Sequence, residues 1–424
     1  MKKFYFAILF FLGFTTLLFN VFGCGNRVNT NFDNHFEEDG RLKVDTTSTV
    51  FEIQTPSSVK FFVEVSGSMN GFFRANRPTH FKVDLWNILN YYSPISTDVC
   101  IITNDGSEGA SYELQDFRTM MNGGKFVSTA STKVPLMLKS IVGSLDIEAG
   151  EVAVLVSDMK YSPVGSASPD VLLSQYSTDI SRILGDFGGA VCLIGATSNF
   201  LDKKGNETCM RSPYYYLVIG KAEHVADIRN GISTLLLNNG HFVDNIESGF
   251  DYGKPKYSFG VYNKCSQFDE SEPTFVQYEE ADEIDTCFVN LKVNLEDYRW
   301  IMADENVFRE SFRVKSIYDS EISVGDVAID VANINEDDKS LRRKVVANVE
   351  LRIFNMPTDS DVLEWTLEIP DTNYTLFGEF FMDAQDENDV SKSYSLLEFV
   401  KGMFYGGVVN KKLGNNYILI SKKG

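Results

Sequence analysis

The chain has 424 residues with 39 basic and 59 acidic side chains, a formal charge of −20. That balance excludes nucleic acid and anionic lipid headgroups as partners over most of the surface, because both need clustered cations. The length exceeds what one core ordinarily fills, so two domains are expected, and six cysteines without a Cys-x-x-Cys spacing, beside four histidines, argue against zinc and thiol redox chemistry.

Lys2 and Lys3 precede an apolar run from Phe4 to Phe19 that closes at Val21-Phe-Gly-Cys24. A charged start, an apolar stretch of secretory length and a small residue at the cut read as an export signal over 1–23, not a spanning helix. The cut before a cysteine resembles the bacterial lipobox, with Phe22 a less usual residue there. The resemblance implies that Cys24 becomes a lipidated N-terminus, anchoring the chain to a membrane without a transmembrane helix. The alternative is a soluble secreted protein with the same signal. Residues 24–50 are rich in Asn, Asp, Glu and Thr and read as a tether. No acidic run follows Cys24, which favours a periplasm-facing place in the cell envelope over surface display.

Residues 51–237 alternate short apolar runs with amphipathic ones, the α/β pattern. Strands are predicted at Val59–Val65, Asp98–Thr103, Val152–Ser157, Ala190–Gly195 and Tyr214–Gly220, each apolar on both faces as buried parallel strands are. Tyr112–Phe117 reads as an antiparallel edge. Helices are predicted at Phe81–Tyr92, Pro135–Leu145, Pro169–Leu184 and Ala222–Ser233. The expected fold is α/β, a doubly wound and mostly parallel sheet, whose ligands bind outside the carboxyl ends of the strands where the winding reverses.

Three segments carry the polar chemistry of this domain. The first, Lys60-Phe-Phe-Val-Glu-Val-Ser-Gly-Ser-Met69, runs from a strand into a turn with one carboxylate and two hydroxyls at alternating positions. Oxygen donors of this kind suit a hard divalent cation. The others are Ser128-Thr-Ala-Ser-Thr132, ahead of a helix with Pro135 in its first turn, and Val152-Ala-Val-Leu-Val-Ser-Asp158. In this order they resemble the three loops of the metal-ion-dependent adhesion site of von Willebrand factor A (vWA) domains, over residues 59–232. The resemblance implies Ser66 and Ser68 as direct hydroxyl ligands and Asp158 as a third-loop carboxylate acting through water. Thr132 takes the second-loop role, with Thr129 and Ser131 in reach of it. Glu64 stands where the family has Asp, and its extra methylene moves the carboxylate by over an ångström. Mg2+ or Mn2+ is the implied cofactor, or none where the metal has been lost, and the implied partner is a protein offering an acidic side chain. Read without the family, Ser66 and Ser68 are turn residues, Gly67 eases a bend and Asp158 caps its own loop.

An enzyme is not expected. Val65-Ser-Gly-Ser lacks the Gly-x-Ser-x-Gly elbow, and nothing local pairs His80, His224 or His241 with a carboxylate. Metal-assisted hydrolysis at Glu64 and Asp158 is the remaining catalytic reading. Tyr214-Tyr-Tyr216 looks like a surface patch, although in a strand two of the rings fall in a core. Cys100 and Cys192 read as buried thiols, while two of Cys209, Cys265 and Cys287 could pair in an oxidising compartment.

Residues 238–424 read as a second, β-rich domain of sandwich type. Strands are predicted at Lys256–Tyr262, Phe288–Leu295, Phe312–Tyr318, Val327–Val331, Val345–Phe354, Trp365–Ile369 and Tyr417–Ser421, with one helix at Tyr394–Tyr405. The acidic loops Glu279–Asp285, Asn335–Asp338 and Asp383–Asp389 read as solvated turns, since none has calcium-loop spacing.

Overall fold

A computed structural model describes residues 52–422, apart from 97, 104–105, 107, 125, 127–132, 162–168, 252–254, 261–265, 269–274, 279–285, 297, 299–304, 334–342, 357–359, 369–374, 383–388 and 408–411. The acidic loops of the second half lie outside the described residues except for Asp389, and so does Cys265. No helix among the described residues is long and apolar enough to cross a membrane.

A seven-stranded mixed sheet is built from β1 (Ser58–Glu64), β2 (Asp98–Ile102), β3 (Glu108–Glu113), β4 (Glu151–Ser157), β5 (Ala190–Leu201), β6 (Glu207–Gly220) and β7 (Phe242–Ser248), in the order β3-β2-β1-β4-β6-β5-β7. β1 runs parallel to β2 and β4, and β3 closes the edge antiparallel to β2. This half follows the doubly wound order 3-2-1-4. The other half departs from the expected parallel arrangement. β5 and β6 form a long antiparallel hairpin with β6 next to β4, and β7 pairs antiparallel with β5. The physical reason is the short connection: only residues 202–206 separate β5 from β6, and Asp202 accepts backbone N–H bonds from Lys204 and Asn206 to close the turn. A parallel return needs a crossover of a dozen residues or more.

Successive residues point to opposite faces of the sheet, and helices cover both. Phe61, Val63, Val154, Val156, Tyr214 and Tyr216 face α1 (His80–Tyr92), α2 (Leu114–Gly123) and α5 (Ala222–Asn238). Phe62, Leu155, Tyr215 and Leu217 face α3 (Val134–Gly143), α4 (Pro169–Phe187) and α7 (Leu396–Gly407). All three tyrosines of 214–216 are therefore core, two on one face and one on the other. Burying each such ring is worth roughly 1.5–3 kcal/mol. Cys192 is buried on β5, whereas Cys100 is only half-buried on β2. Local signals set the helix ends: Thr79 caps α1 by accepting from the Lys82 N–H, Pro135 opens α3, and Gly124 stops α2 at φ +58°.

Residues 257–368 and 412–422 form two further sheets. One holds β8 (Tyr257–Gly260), β11 (Thr286–Asn294), β13 (Glu321–Asn333) and β14 (Arg343–Phe354). The other holds β9 (Ser266–Phe268), β10 (Phe275–Tyr278), β12 (Phe312–Ser316), β15 (Ser360–Glu368) and β18 (Lys412–Lys422). Their pairings are antiparallel except β10 with β18. Alternate residues of β11 and β14 meet Leu363, Trp365, Leu367, Ile418 and Ile420 in one core, with α6 (Glu305–Ser311) supplying Phe308. Cys287 lies in this core.

Two segments beyond residue 238 pack with the α/β body rather than the sandwich: β7, and residues 375–407. The latter contain a 3-10 turn at Thr375–Phe380, the short strands β16 (Phe381–Met382) and β17 (Ser393–Tyr394), and α7. α7 lies against α4 at very short range. A Cβ on Gly402 would come within 2.7 Å of Ile180 Cβ and of the Ser177 carbonyl, and one on Gly406 within 2.6 Å of the Ser181 carbonyl. Small residues at this contact let the two backbones approach. Gly402→Ala is expected to lower stability by about 1–3 kcal/mol in urea denaturation, because the added methyl forces the helices apart. Gly143→Ala, in open space on α3, serves as the control and should leave the midpoint unchanged or slightly raised.

Candidate functional site

The winding reverses between β2 and β4 on either side of β1, so the crevice of this sheet opens at the carboxyl ends of β1 and β4. Val63 pairs with Val156 in the parallel register, which sets Glu64 beside Ser157. Both point into the layer beneath α4 and α7, as Phe62 and Leu155 do two residues earlier. The Ser157 hydroxyl donates a short hydrogen bond to Glu64 Oε2 and accepts one from the Met159 N–H at 2.8 Å. Met159 is fully buried at φ +54°, a left-handed conformation that costs a non-glycine residue on the order of 1 kcal/mol and reverses the chain after Asp158.

After β1 the chain passes through Val65 into a 3-10 turn at Ser68–Gly71. Ser66 Oγ and Ser68 Oγ are hydrogen-bonded at 2.8 Å, and the Ser68 hydroxyl is also bonded to the Asp158 carboxylate. Gly67 has φ −60°, so the turn does not use the conformational freedom of glycine. What fixes the turn is apolar. Met69, Phe72 and Phe73 are buried, and Phe72 packs at 5.3 Å from Phe81 and 5.1 Å from Phe200. Gly71 is needed for a different reason, since a Cβ there would meet the Phe200 ring at 2.2 Å.

The structure thus brings Ser66, Ser68 and Asp158 together and places Glu64 on the neighbouring strand end. Thr132, Thr129 and Ser131 lie outside the described residues. Glu64 and Asp158 are each 1% exposed and Ser66 3%. Burial pushes the Asp158 carboxyl above its ordinary value of 3.8, partly offset by the Lys160 ammonium and by hydrogen bonds from Ser68 and the Lys160 N–H. Tyr176, stacked on Tyr161 at 4.2 Å, is buried in the same layer. Burial raises its phenol well above the ordinary range, with further contributions from Tyr161, Glu398 and Glu64.

A covering segment, invisible as such in the sequence, closes this region. Ser393 Oγ donates to the Asp158 carbonyl at 2.8 Å, the Lys160 ammonium to the Asp389 carbonyl at 3.0 Å, and the Ser212 hydroxyl to the Val390 carbonyl at 2.5 Å. The Tyr161 N–H donates to the Tyr394 carbonyl at 3.4 Å. Ser393, Tyr394 and Ser395 are all buried.

The donors Glu64, Ser66, Ser68 and Asp158 suit a hard cation in kind, since all are oxygen. In the structure Glu64 is engaged by Ser157 inside the layer, Ser66 and Ser68 bond to each other, and Ser393 and Asp389 bond to the Asp158 carbonyl and to Lys160 at the strand ends. Among the described residues no group of three or more His, Cys, Asp or Glu side chains is arranged to hold a metal. Ser66 bonds to Ser68 and His224 to the Gln54 carbonyl, while the His80 ring stacks on His241 at 4.2 Å and His241 bonds to Asp84. That last pairing spans 157 residues, which is why no local spacing announced it. Neither family models, curated proteins nor solved structures give a match to this chain.

A raised carboxyl favours the native state only while it is protonated. The contribution from Asp158 is fully present below pH 3.8 and is lost as pH rises through the elevated native value. Asp158→Asn, which keeps an acceptor and removes the charge, should therefore match the wild type in urea midpoint below pH 3.8. It should exceed the wild type increasingly toward neutral pH.

Proposed function

We propose that the chain is a non-enzymatic protein-binding scaffold of the cell envelope, tethered through Cys24, whose vWA-like strand-end turn works as an internal clasp without a metal ion. The observation that carries this reading is that Ser66 and Ser68 bond to each other, Glu64 to Ser157, and the Asp158 carbonyl and Lys160 to the 389–395 segment, with Glu64 and Asp158 each 1% exposed. An adhesion-type ion site works by offering an open coordination position to a partner's carboxylate. Here that face is taken up by the chain itself, so partner contact falls to the outer surfaces of the two bodies.

The composition is consistent with this role. With 59 acidic against 39 basic side chains, the chain is repelled by an anionic membrane surface, which suits a body held beside a membrane rather than on it.

The test is calorimetric titration of Mg2+ and Mn2+ into the protein, with Asp158→Ala as the control. The scaffold reading expects no saturable binding at millimolar concentration and no rise in Tm with either ion. Binding that disappears in Asp158→Ala would return the turn to the adhesion-type reading, with Ser66, Ser68 and Asp158 as the holding residues.

A further inference from the structure

β6 runs antiparallel to both β4 and β5, so β5 ends on the same side of the sheet as β1 and β4. From there the β5–β6 hairpin continues past Ser157, where β4 stops. Its tip, residues 202–206, packs on the loop 74–77 that leads to α1. Arg74 Nη2 donates to the Leu201 carbonyl at 3.4 Å, and a Cβ on Gly205 would stand 3.1 Å from Arg77 Nε, so both guanidinium groups lie on the hairpin. Lys82, from the first turn of α1, is 5% exposed. It holds the loop from within, donating to the Arg74 carbonyl at 2.7 Å and to the Arg77 carbonyl at 3.2 Å.

This contact gathers Arg74, Arg77, Lys82, Lys203 and Lys204, of which Arg77, Lys203 and Lys204 are exposed. Among the described residues none of these side chains has a carboxylate partner, and Arg74 Nε is buried without an acceptor. Residues 65–83 contain no Asp or Glu. Residues 189–206 contain only Asp202, whose carboxylate is occupied by the N–H groups of Lys204 and Asn206 and by the Asn206 side-chain amide. With 59 acidic against 39 basic side chains, cations elsewhere find partners readily, as Lys60 does in Glu151, Arg229 in Glu247 and Lys315 in Glu364. A group of unpaired cations in one place is the opposite of what that composition favours. The amino end of α1, beside the loop, adds to the positive potential.

We propose that the loop 74–77 and the hairpin tip 202–206 form a docking surface for an acidic segment of a partner protein. The inference rests on the scaffold reading in taking that partner to be a protein. Range decides between anions. A net charge of −20 repels nucleic acid or an anionic membrane, which faces the whole body, whereas a short carboxylate-rich segment meets the patch alone. Charges more than about 8–10 Å away are largely screened at physiological salt. Arginine forks grip carboxylates in two-point contacts, and exposed lysines steer the approach.

The experiment is fluorescence anisotropy of a labelled polyglutamate peptide titrated with the full chain in non-ionic detergent and EDTA. The chains compared are the wild type, Arg77→Gln, Lys203→Glu with Lys204→Glu, and a charge-matched control, Lys139→Glu with Lys292→Glu, both exposed and distant in sequence from the patch. Near-UV circular dichroism checks that each is folded. The wild type is expected to bind saturably at low salt, with Kd raised about tenfold in the Lys203/Lys204 variant and about threefold in Arg77→Gln. The control should stay within about twofold of the wild type, and added NaCl should weaken binding throughout. Absence of saturable binding at low salt, or an equal loss in the control, would overturn the proposal. So would sedimentation with phosphatidylglycerol vesicles that the Lys203/Lys204 variant loses, since the patch would then serve a membrane. Because EDTA removes divalent ions, failure here leaves the metal-free scaffold reading to its own ion titration.

Discussion

The close contact between α7 and α4 is the constraint on which the rest of the arrangement depends. Gly402 and Gly406 let α7 lie almost backbone to backbone on α4, and with α3 and α4 it covers one face of the seven-stranded sheet. It also fixes where the preceding residues run. Because α7 starts at Leu396, residues 389–395 are drawn across the carboxyl ends of β1 and β4, and β18 leaves from the other end of α7 to enter the sandwich. A chain that goes out after β7, builds most of a sandwich, returns to finish the first body and then goes back for a last strand cannot be divided at one point. The two bodies are separate in their cores and joined in their connectivity.

That connectivity explains the state of the strand ends. Buried polar groups are tolerated when each finds partners. Here Glu64, Ser66, Ser68, Ser157 and Asp158 find them in one another, in Lys160 and in a segment more than two hundred residues away. A hydrogen-bonded cluster of this kind fixes one docking geometry for the returning segment, where an apolar contact would accept several.

The elements themselves were largely legible in the amino-acid sequence. β1, β4, α1, α4 and most of the sandwich strands fall close to their predicted places, because apolar runs and caps act locally. β6 runs antiparallel to β4 and β5, against the direction its apolar run predicts. Val218 and Ile219 are buried on both faces, which suits a parallel strand, but a central antiparallel strand looks the same when helices cover both sides of the sheet. The five-residue turn at 202–206 was the available signal. Glu64 was legible in part: two residues after Phe62 on the same strand face, its side chain was bound for the interior. The covering segment and the Asp84–His241 pair were not legible, since each joins residues far apart in the chain and no spacing rule reaches across that distance.

The place of β1 in the sheet has a mechanical consequence. β1 is an interior strand, paired in parallel with β4 over Ser58–Val63 and with β2 over Phe61–Glu64. Tension applied along the axis of β1 from its N-terminal end loads both ladders in shear, so several hydrogen bonds resist together instead of opening one at a time. Glu64 lies at the far end of β1, where it bonds to Ser157 at the end of β4. Under such a load, survival is governed by the rate of strand sliding rather than by equilibrium stability.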